Sequence, residues 1–330
     1  MESCKYLTIF CFKNFQLKLI YFQAKCFDLS ENMRAKLLGG GDLEFAKYLL
    51  RVGEGKEGEE VDEEMWIQIP DEVKSESKSI EEFCDEMFPG LKEVVASGMK
   101  NRLVSQDKDW IDWLISRGIT VPINDDAAEV NQILINKLAG EETVYKSADS
   151  LLIKKKSQDD GDISNELKFP PEYLNSISLP SLPPHRLVLK PGTPVMLMRN
   201  LDPHNGHVNS ARYIVKGLHK HLIHLELATG MHKGKDLVLP RIYFNPKGTC
   251  FQFMQRKQFP IKPCFTFTSN KSQGQNLEKN GIYLKREFFG HGQLYVAMSR
   301  VGSFKNLKVF KAPSNEHQAK MRNVVYTGIL

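Results

Sequence analysis

The sequence predicts an α/β fold into which a small β-barrel is inserted. Three observations carry this expectation. Between residues 42 and 138, apolar side chains recur at helical spacing around one short strand pattern, Gly118-Ile-Thr-Val-Pro122. Between residues 187 and 239 the texture changes to five short β-runs separated by turn signals. After Pro260 it returns to strand, glycine-containing turn and helix. The last part of the chain therefore belongs with the first, and the β-rich stretch is an insertion.

In chain order, Ser30-Glu-Asn-Met-Arg34 predicts a helix start with Ser30 as N-cap. A second helix follows Gly39-Gly-Gly-Asp42, with Asp42 as cap and Phe45, Ala46, Leu49, Leu50 and Val52 on its buried face, ending in Gly53-Glu-Gly55. Residues 54–64 hold seven acids and one lysine and are expected to be an exposed loop. Residues 71–110 alternate short amphipathic stretches with polar breaks and give no clear element. The strand at 118–122 leads into a helix capped by Asn124-Asp-Asp126. Its apolar face is Val130, Ile133, Leu134 and Leu138, and Asp126-x-x-Glu129 has the spacing of a capping box. Lys154-Lys-Lys156 and Ser157–Asp162 read as surface linker, and five prolines between 170 and 184 mark a boundary.

The β-runs are Leu187–Leu189, Val195–Met198, Tyr213–Val215, His221–Leu227 and Leu237–Leu239. Pro191-Gly192, Asn205-Gly206 and Thr229-Gly230 mark turns between them, and Ile223, Leu225 and Leu227 alternate with His224 and Glu226. Near the end, Leu294, Met298 and Val301 would share a buried helix face, with Gln293 and Arg300 projecting together from a neighbouring one.

Mean hydropathy is −0.36, an ordinary globular balance. The 330 residues carry 45 Lys/Arg against 40 Asp/Glu, but unevenly. Residues 1–165 have 21 basic and 32 acidic side chains, and residues 166–330 have 24 and 8. All nine histidines are in the second half. A basic half suits a polyanionic partner, nucleic acid before a membrane surface. The apolar N-terminus is broken by Lys5, Lys13, Asn14, Lys18 and Lys25, so it offers no spanning segment and no membrane association is expected. Cys4, Cys11, Cys26, Cys84, Cys250 and Cys264 form no CxxC pair, which favours a reducing, intracellular setting.

Three segments could carry chemistry. Thr266–Gln275 is a β-run breaking into a polar glycine turn, able to point backbone N–H groups, Lys271 and the Ser272 hydroxyl at a phosphate. It is not a P-loop, and G-x-x-x-x-G-K-[ST] occurs nowhere in the sequence. His291–Arg300 places a permanently charged guanidinium beside a packed face, as charge stabilisation on a phosphoryl group requires. Taken alone, the first segment is more often a structural turn and the second an ordinary surface helix. The histidines at 204, 207, 219, 221 and 224 have ligand-like spacing but lack the cysteine pair or acid that would complete a four-ligand set, so no metal site is expected.

Taken together and in order, these segments carry a resemblance. They are Ser30–Arg34, Phe45–Gly55, Pro122-Ile-Asn124, Leu182-Pro-Pro-His-Arg-Leu187, Pro194–Asp202, Arg256-Lys-Gln-Phe-Pro260, Asn270-Lys-Ser-Gln-Gly-Gln275 and Gly292–Val301. Over about residues 27–311 the chain resembles the C-terminal half of the petite integration frequency (Pif) DNA helicases, in particular the version carried by Helitron transposons. The resemblance implies one RecA-like parallel-sheet domain, the second of two motor domains, built from residues 27–140 and 261–311. It implies a linker at 141–186 and the inserted small β-barrel at 187–260, with an unassigned extension at 1–26 and a tail at 312–330. It further implies that Arg34 and Arg300 are catalytic arginines reaching the γ-phosphate of ATP, with Gln273 and Gly274 also at the nucleotide. Asn124, Thr268, Asn270, Lys271, Ser272 and His291 would contact single-stranded DNA. Nuclear localisation is what the family implies.

ATP and Mg²⁺ would sit mainly on an N-terminal RecA-like helicase domain. Of that domain's motifs the chain offers only Val61-Asp62-Glu63, in a hydrophilic run. Residues 100–113 look like an addition. Ser269 and Ser210-Ala211 stand where relatives usually carry apolar and glycine-containing residues. The expected function is therefore the C-terminal portion of an ATP-dependent 5′→3′ DNA helicase, inactive alone. The alternative is a non-catalytic single-stranded nucleic-acid-binding or interaction protein derived from one.

Overall fold

A computed structural model describes residues 43–61, 64–101, 109–152, 169–246, 250–251 and 253–326. The expectations at residues 1–26, Ser30–Arg34, Asp42, Asp62-Glu63 and Lys154–Asp162 lie outside the described residues. Helix α1 (Leu43–Gly53) buries Phe45, Tyr48, Leu49 and Val52, a stripe at i, i+3, i+4 and i+7. Leu50, expected on that face, is 40% exposed, because the stripe turns toward Tyr48. The acidic run behind it is turn and bend over residues 54–58, as expected, but not beyond. From Glu59 onward the chain forms the antiparallel hairpin β1 (Glu59–Val61) and β2 (Glu64–Gln68), in which all three β1 residues stay exposed.

The unplaced stretch holds α2 (Ile80–Met87), α3 (Leu91–Asn101) and α4 (Asp109–Ile115). Ser79 caps α2 by accepting from the Glu82 N–H at 3.2 Å, and the Glu82 carboxylate accepts from the Lys78 N–H at 2.7 Å. Strand β3 (Arg117–Val121) is buried as expected and leads into α5 (Asn124–Lys137). The capping box does not form. The helix begins at Asn124 with Ile123 as N-cap, so Asp126 lies inside the first turn, 1% exposed and 3.3 Å from the Arg286 guanidinium.

Residues 141–186 are more than a linker: they contain β4 (Thr143–Lys146), β5 (Ala148–Leu151) and α6 (Pro171–Ser176). All five expected β-runs then appear, as β6 (Arg186–Leu189), β7 (Pro194–Leu197), β8 (Arg212–Leu218), β9 (Leu222–Leu227) and β10 (Asp236–Pro240), followed by β11 (Ile242–Phe244), β12 (Met254–Gln258) and β13 (Ile261–Pro263). Four of the five expected runs and β13 make an antiparallel sheet in the order β10-β9-β8-β7-β13, while β6 pairs with β4 and β12 bridges β11 and β5. Tyr145, Leu187, Leu197, Ile223, Leu225 and Phe259 belong to one apolar cluster between these sheets. Glu226 breaks the alternation: it is 1% exposed and lies 3.4 Å from the Lys216 ammonium.

The three predicted turns hold Gly192, Gly206 and Gly230 at φ 84°, 81° and 82°, a region that L side chains avoid. Ser210, at φ 69°, is the one non-glycine among the described residues held there.

The chain then returns to β14 (Thr266–Thr268), α7 (Ser269–Ser272), β15 (Lys279–Leu284), α8 (Gln293–Met298), β16 (Leu307–Lys311) and β17 (Lys320–Asn323). Strands β14, β3, β15 and β16 form one parallel sheet in that order, so the first and last parts of the chain do share a core. The architecture is a mixed α/β fold with a RecA-like parallel sheet and smaller accompanying sheets. Leu294, Met298 and Val301 are all buried against it, as their spacing predicted. No helix among the described residues is long and apolar enough to cross a membrane.

A buried ion pair fastens the β-rich region. Arg256 on β12 and Asp149 on β5 are joined by contacts of 2.7, 3.0 and 3.1 Å, and Arg256 also donates to the carbonyls of Pro183 and Leu174, both at 3.0 Å. Neither side chain is more than 1% exposed. Asp149→Ala leaves the guanidinium buried without its counter-charge. Equilibrium urea unfolding is expected to show a loss of about 3–5 kcal/mol. By the same measurement Ser210→Gly gains up to about 1 kcal/mol by relieving the left-handed backbone, whereas Ser210→Val loses stability.

Candidate functional site

In a parallel sheet every carboxyl end points to the same edge, and ligands of open α/β sheets bind there. Three adjacent strands deliver the expected residues to that edge. Asn124 follows β3 and opens α5, exposed. Thr268 ends β14 and precedes α7, and His291 lies on the loop after β15.

The turn after β14 sorts its side chains by burial. Ser269 and Ser272 face inward: Ser269 Oγ donates to the Gln293 carbonyl at 2.7 Å and Ser272 Oγ to the Ser269 carbonyl at 2.6 Å. The Ser272 hydroxyl, expected at a ligand, is therefore fully buried in the chain's own bonding. Asn270, Gln273 and Gly274 are exposed and Lys271 is half-buried. Gly274 has φ 78° with nothing near its missing side chain, so the turn needs glycine for its backbone conformation.

Arg300, 9% exposed, staples this turn to α8. Its Nε donates to the Val296 carbonyl at 2.7 Å, Nη1 to the Ser272 and Gln275 carbonyls at 3.1 and 3.3 Å, and Nη2 to Ser299 Oγ at 2.7 Å. Gln293 does not share a face with it. Because α8 stops at Met298, the seven-residue spacing is not continued as helix. Gln293 Oε1 instead accepts from the Phe289 and Gly290 N–H groups at 3.3 and 3.1 Å. Arg34, the other expected catalytic arginine, lies outside the described residues.

His291 is exposed. Its Nδ1 accepts from the Tyr326 N–H at 3.0 Å, and the two rings stack with centroids 5.3 Å apart and planes 10° apart. With Nδ1 accepting, a neutral His291 carries its proton on Nε2, available as a donor.

Two cavities border these residues. One, about 440 Å³, lies between Gln273–Gln275 and the turns of the antiparallel sheet that carry His204, Ser210 and His232. The other, about 460 Å³, is a groove between α5, including Asn124, and the segment from Ser178 to Val188. The remaining histidines disperse. His207 Nδ1 meets the Tyr213 hydroxyl at 2.9 Å, and His224 lies 3.4 Å from Asp236. Among the described residues no three histidine, cysteine or acid side chains are grouped to hold a metal.

Two residues absent from the sequence reading matter here. Arg212 on β8, 1% exposed, donates to the Ile115 carbonyl at 2.7 Å and lies over the Phe267 ring at 5.7 Å, tying the antiparallel sheet to the parallel one. Lys262 on β13 lines the larger groove. The only sequence signal for either was a charge placed inside an apolar β-run.

Residues 172–218, covering α6 through β8, match the family model described as DNA helicase Pif1, 2B domain. The ATP-dependent DNA helicase PIF1 of Xenopus laevis is 28% identical over 186 residues, 56% of this chain and 26% of that protein. The Homo sapiens protein of the same name is 28% identical over 188 residues, again 56% and 26%. That of Rattus norvegicus is 34% identical over 126 residues, 37% of this chain and 19% of the relative. The chain thus spans about a quarter or less of the length of the relatives it matches. A crystal structure of Pif1 helicase from Candida albicans shares the fold with a TM-score of 0.51 at 20% identity, over 85% of this chain and 55% of that one. At low identity and over part of its length, the chain is homologous to the Pif1 family of ATP-dependent DNA helicases.

Proposed function

We propose that the chain is the C-terminal portion of an ATP-dependent 5′→3′ DNA helicase of the Helitron type. In this reading it is the second RecA-like motor domain, with its antiparallel sheets as the inserted small barrel. The observation that supports it most is the delivery of Asn124, Thr268–Gly274 and His291 to one edge of the sheet by three neighbouring strands. A single strand lying along that edge would meet the amides of Asn124 and Asn270, the Lys271 ammonium and the His291 Nε2–H.

Arg300 gives this edge a mechanical link. Its guanidinium, placed by the resemblance at the γ-phosphate, already holds the carbonyls of the turn that bears Asn270 and Lys271. Charge arriving at the nucleotide and strand arriving at the turn would therefore compete for one rigid, five-donor group. The resemblance would add Gln273 and Gly274 to the phosphate-facing side, together with Arg34, which lies outside the described residues.

Among the described residues no three histidine, cysteine or acid side chains are grouped to hold a metal ion. The triphosphate and Mg²⁺ would belong to an N-terminal RecA-like domain, and the chain alone would bind strand without turnover. The second reading, a non-catalytic single-strand-binding protein, is favoured by the 24-to-8 charge balance of residues 166–330 and shares the same surface.

Fluorescence anisotropy with labelled oligo(dT) tests the surface. Affinity is expected to fall with salt at a log–log slope of about −0.7 per phosphate contacted, and no affinity at low salt overturns both readings. Supplying the N-terminal domain of a relative in trans separates them. The helicase reading expects strand-stimulated ATP hydrolysis that Arg300→Ala lowers by about 10³-fold or more. Absence of hydrolysis, with strand binding intact, leaves the second reading.

A further inference from the structure

We infer that the groove between α5 and the Ser178–Val188 segment seats one nucleotide of a single strand, with the Lys262 ammonium on its phosphodiester. The inference rests on the single-strand reading above and assigns to it a residue and a subsite.

Strand β13 pairs antiparallel with β7, Lys262 opposite Met196. Side chains alternate across a strand, so while Ile261 is fully buried in the apolar cluster of the antiparallel sheet, Lys262 turns the other way, into the groove. There the ammonium has no hydrogen-bond or ion-pair partner among the described residues. Burial, and the charge of Lys271 nearby, both push its pKa below the ordinary lysine value. A desolvated ammonium next to a second one is costly to keep, and an anionic ligand would supply the missing counter-charge.

The rest of the lining says which anion. Leu179, Pro180 and Pro263 present apolar surface on which a base can lie, and Asn124 supplies an amide. Asp125 is the acid of the lining, exposed, against Lys262 and Arg186. Because the Arg186 guanidinium already lies 3.3 Å from the Glu142 carboxylate, the cation of the lining left without a partner among the described residues is the Lys262 ammonium, which suits the single charge of a phosphodiester better than a polyphosphate. The volume, about 460 Å³, lies within the size range of sites for small ligands.

The test uses the full chain with Lys262→Met and Lys262→Arg. Anisotropy with oligo(dT) is expected to show at least about tenfold weaker binding for Lys262→Met, the scale of one lost charge-assisted hydrogen bond. Its salt slope should be shallower by about 0.7, with most of the affinity kept in Lys262→Arg. Thermal unfolding of Lys262→Met is expected at an equal or higher temperature, because a half-buried charge without a partner has been removed. Wild-type affinity and slope in Lys262→Met would overturn the subsite while leaving the single-strand reading in place. A lowered melting temperature would show the ammonium to be structural and would also overturn it. Failure of the wild-type protein to bind oligo(dT) would instead overturn the single-strand reading itself.

Discussion

The candidate site depends on β3 accepting β14 and β15 as parallel neighbours from the far end of the chain. Parallel pairing gives no tight turn to set the register, so buried side chains must do it. Thr120 Oγ1 donates to Asn280 Oδ1 at 3.1 Å across β3 and β15, and Asn280 Nδ2 donates to the Ala297 carbonyl at 2.8 Å. On the other flank Asn131 behaves like a further strand. Its Nδ2 donates to the Thr266 carbonyl at 2.8 Å and its Oδ1 accepts from the Thr266 N–H at 3.0 Å. This pair satisfies the free edge of β14 and fixes α5, and hence Asn124, over it. A register slip would strand these polar groups inside the protein, at about 1–3 kcal/mol each. The edge is thus a consequence of the core.

Three cations of the β-rich region are treated differently, and the contrast separates scaffold from site. Arg256 has a carboxylate of its own and three backbone carbonyls besides. Arg212 has no carboxylate, but its Nη atoms meet the carbonyls of Ile115 and Arg117, leaving Nε without a partner. Lys262 has neither carboxylate nor carbonyl, and its ammonium opens on a groove. Guanidinium suits the first two places because a rigid fork can be satisfied by several fixed oxygens. A flexible ammonium suits the third, where the partner is not part of the chain.

Local pattern made the β-runs, the turn glycines and the stripe of Leu294, Met298 and Val301 legible, because each is set by neighbours a few residues away. What stayed hidden was set by distant residues. Ala148–Leu151 has little strand character of its own and becomes a strand by pairing with β12, while Thr143-Val-Tyr-Lys146 has strand-forming side chains but is only four residues long and is fixed by pairing with β6. Asp149 reads as a surface acid until Arg256, 107 residues on, reaches it. The acidic run at 54–64 reads wholly as a loop because charge masks the strand Glu59–Val61, whose order comes from pairing with β2, itself backed by β17. Among the site residues, those that the resemblance singled out at 124, 268, 270–274 and 291 lie at the carboxyl ends of neighbouring strands or on the loops after them. Yet the sequence could not tell that Ser272 points inward, that Gln293 and Arg300 serve different loops, or that Lys262 belongs beside Asn124.

The charge asymmetry of the two halves acquires a different meaning from the ion pairs. Basic residues of the second half meet acids of the first: Arg256 with Asp149, Lys233 with Asp112, Lys285 with Glu129, Arg286 with Asp126, Lys320 with Glu59 and Arg322 with Glu64. Opposite charge in the halves is in part complementarity between segments that must find each other across more than a hundred residues. The exposed pairs each add little stability, but they spend cations that a count along the sequence assigns to a polyanion. An extended single strand would therefore not be held by the whole basic half. It would be held by the few cations near the carboxyl edge that the chain does not itself neutralise, and strength and salt dependence of binding should reflect that small number.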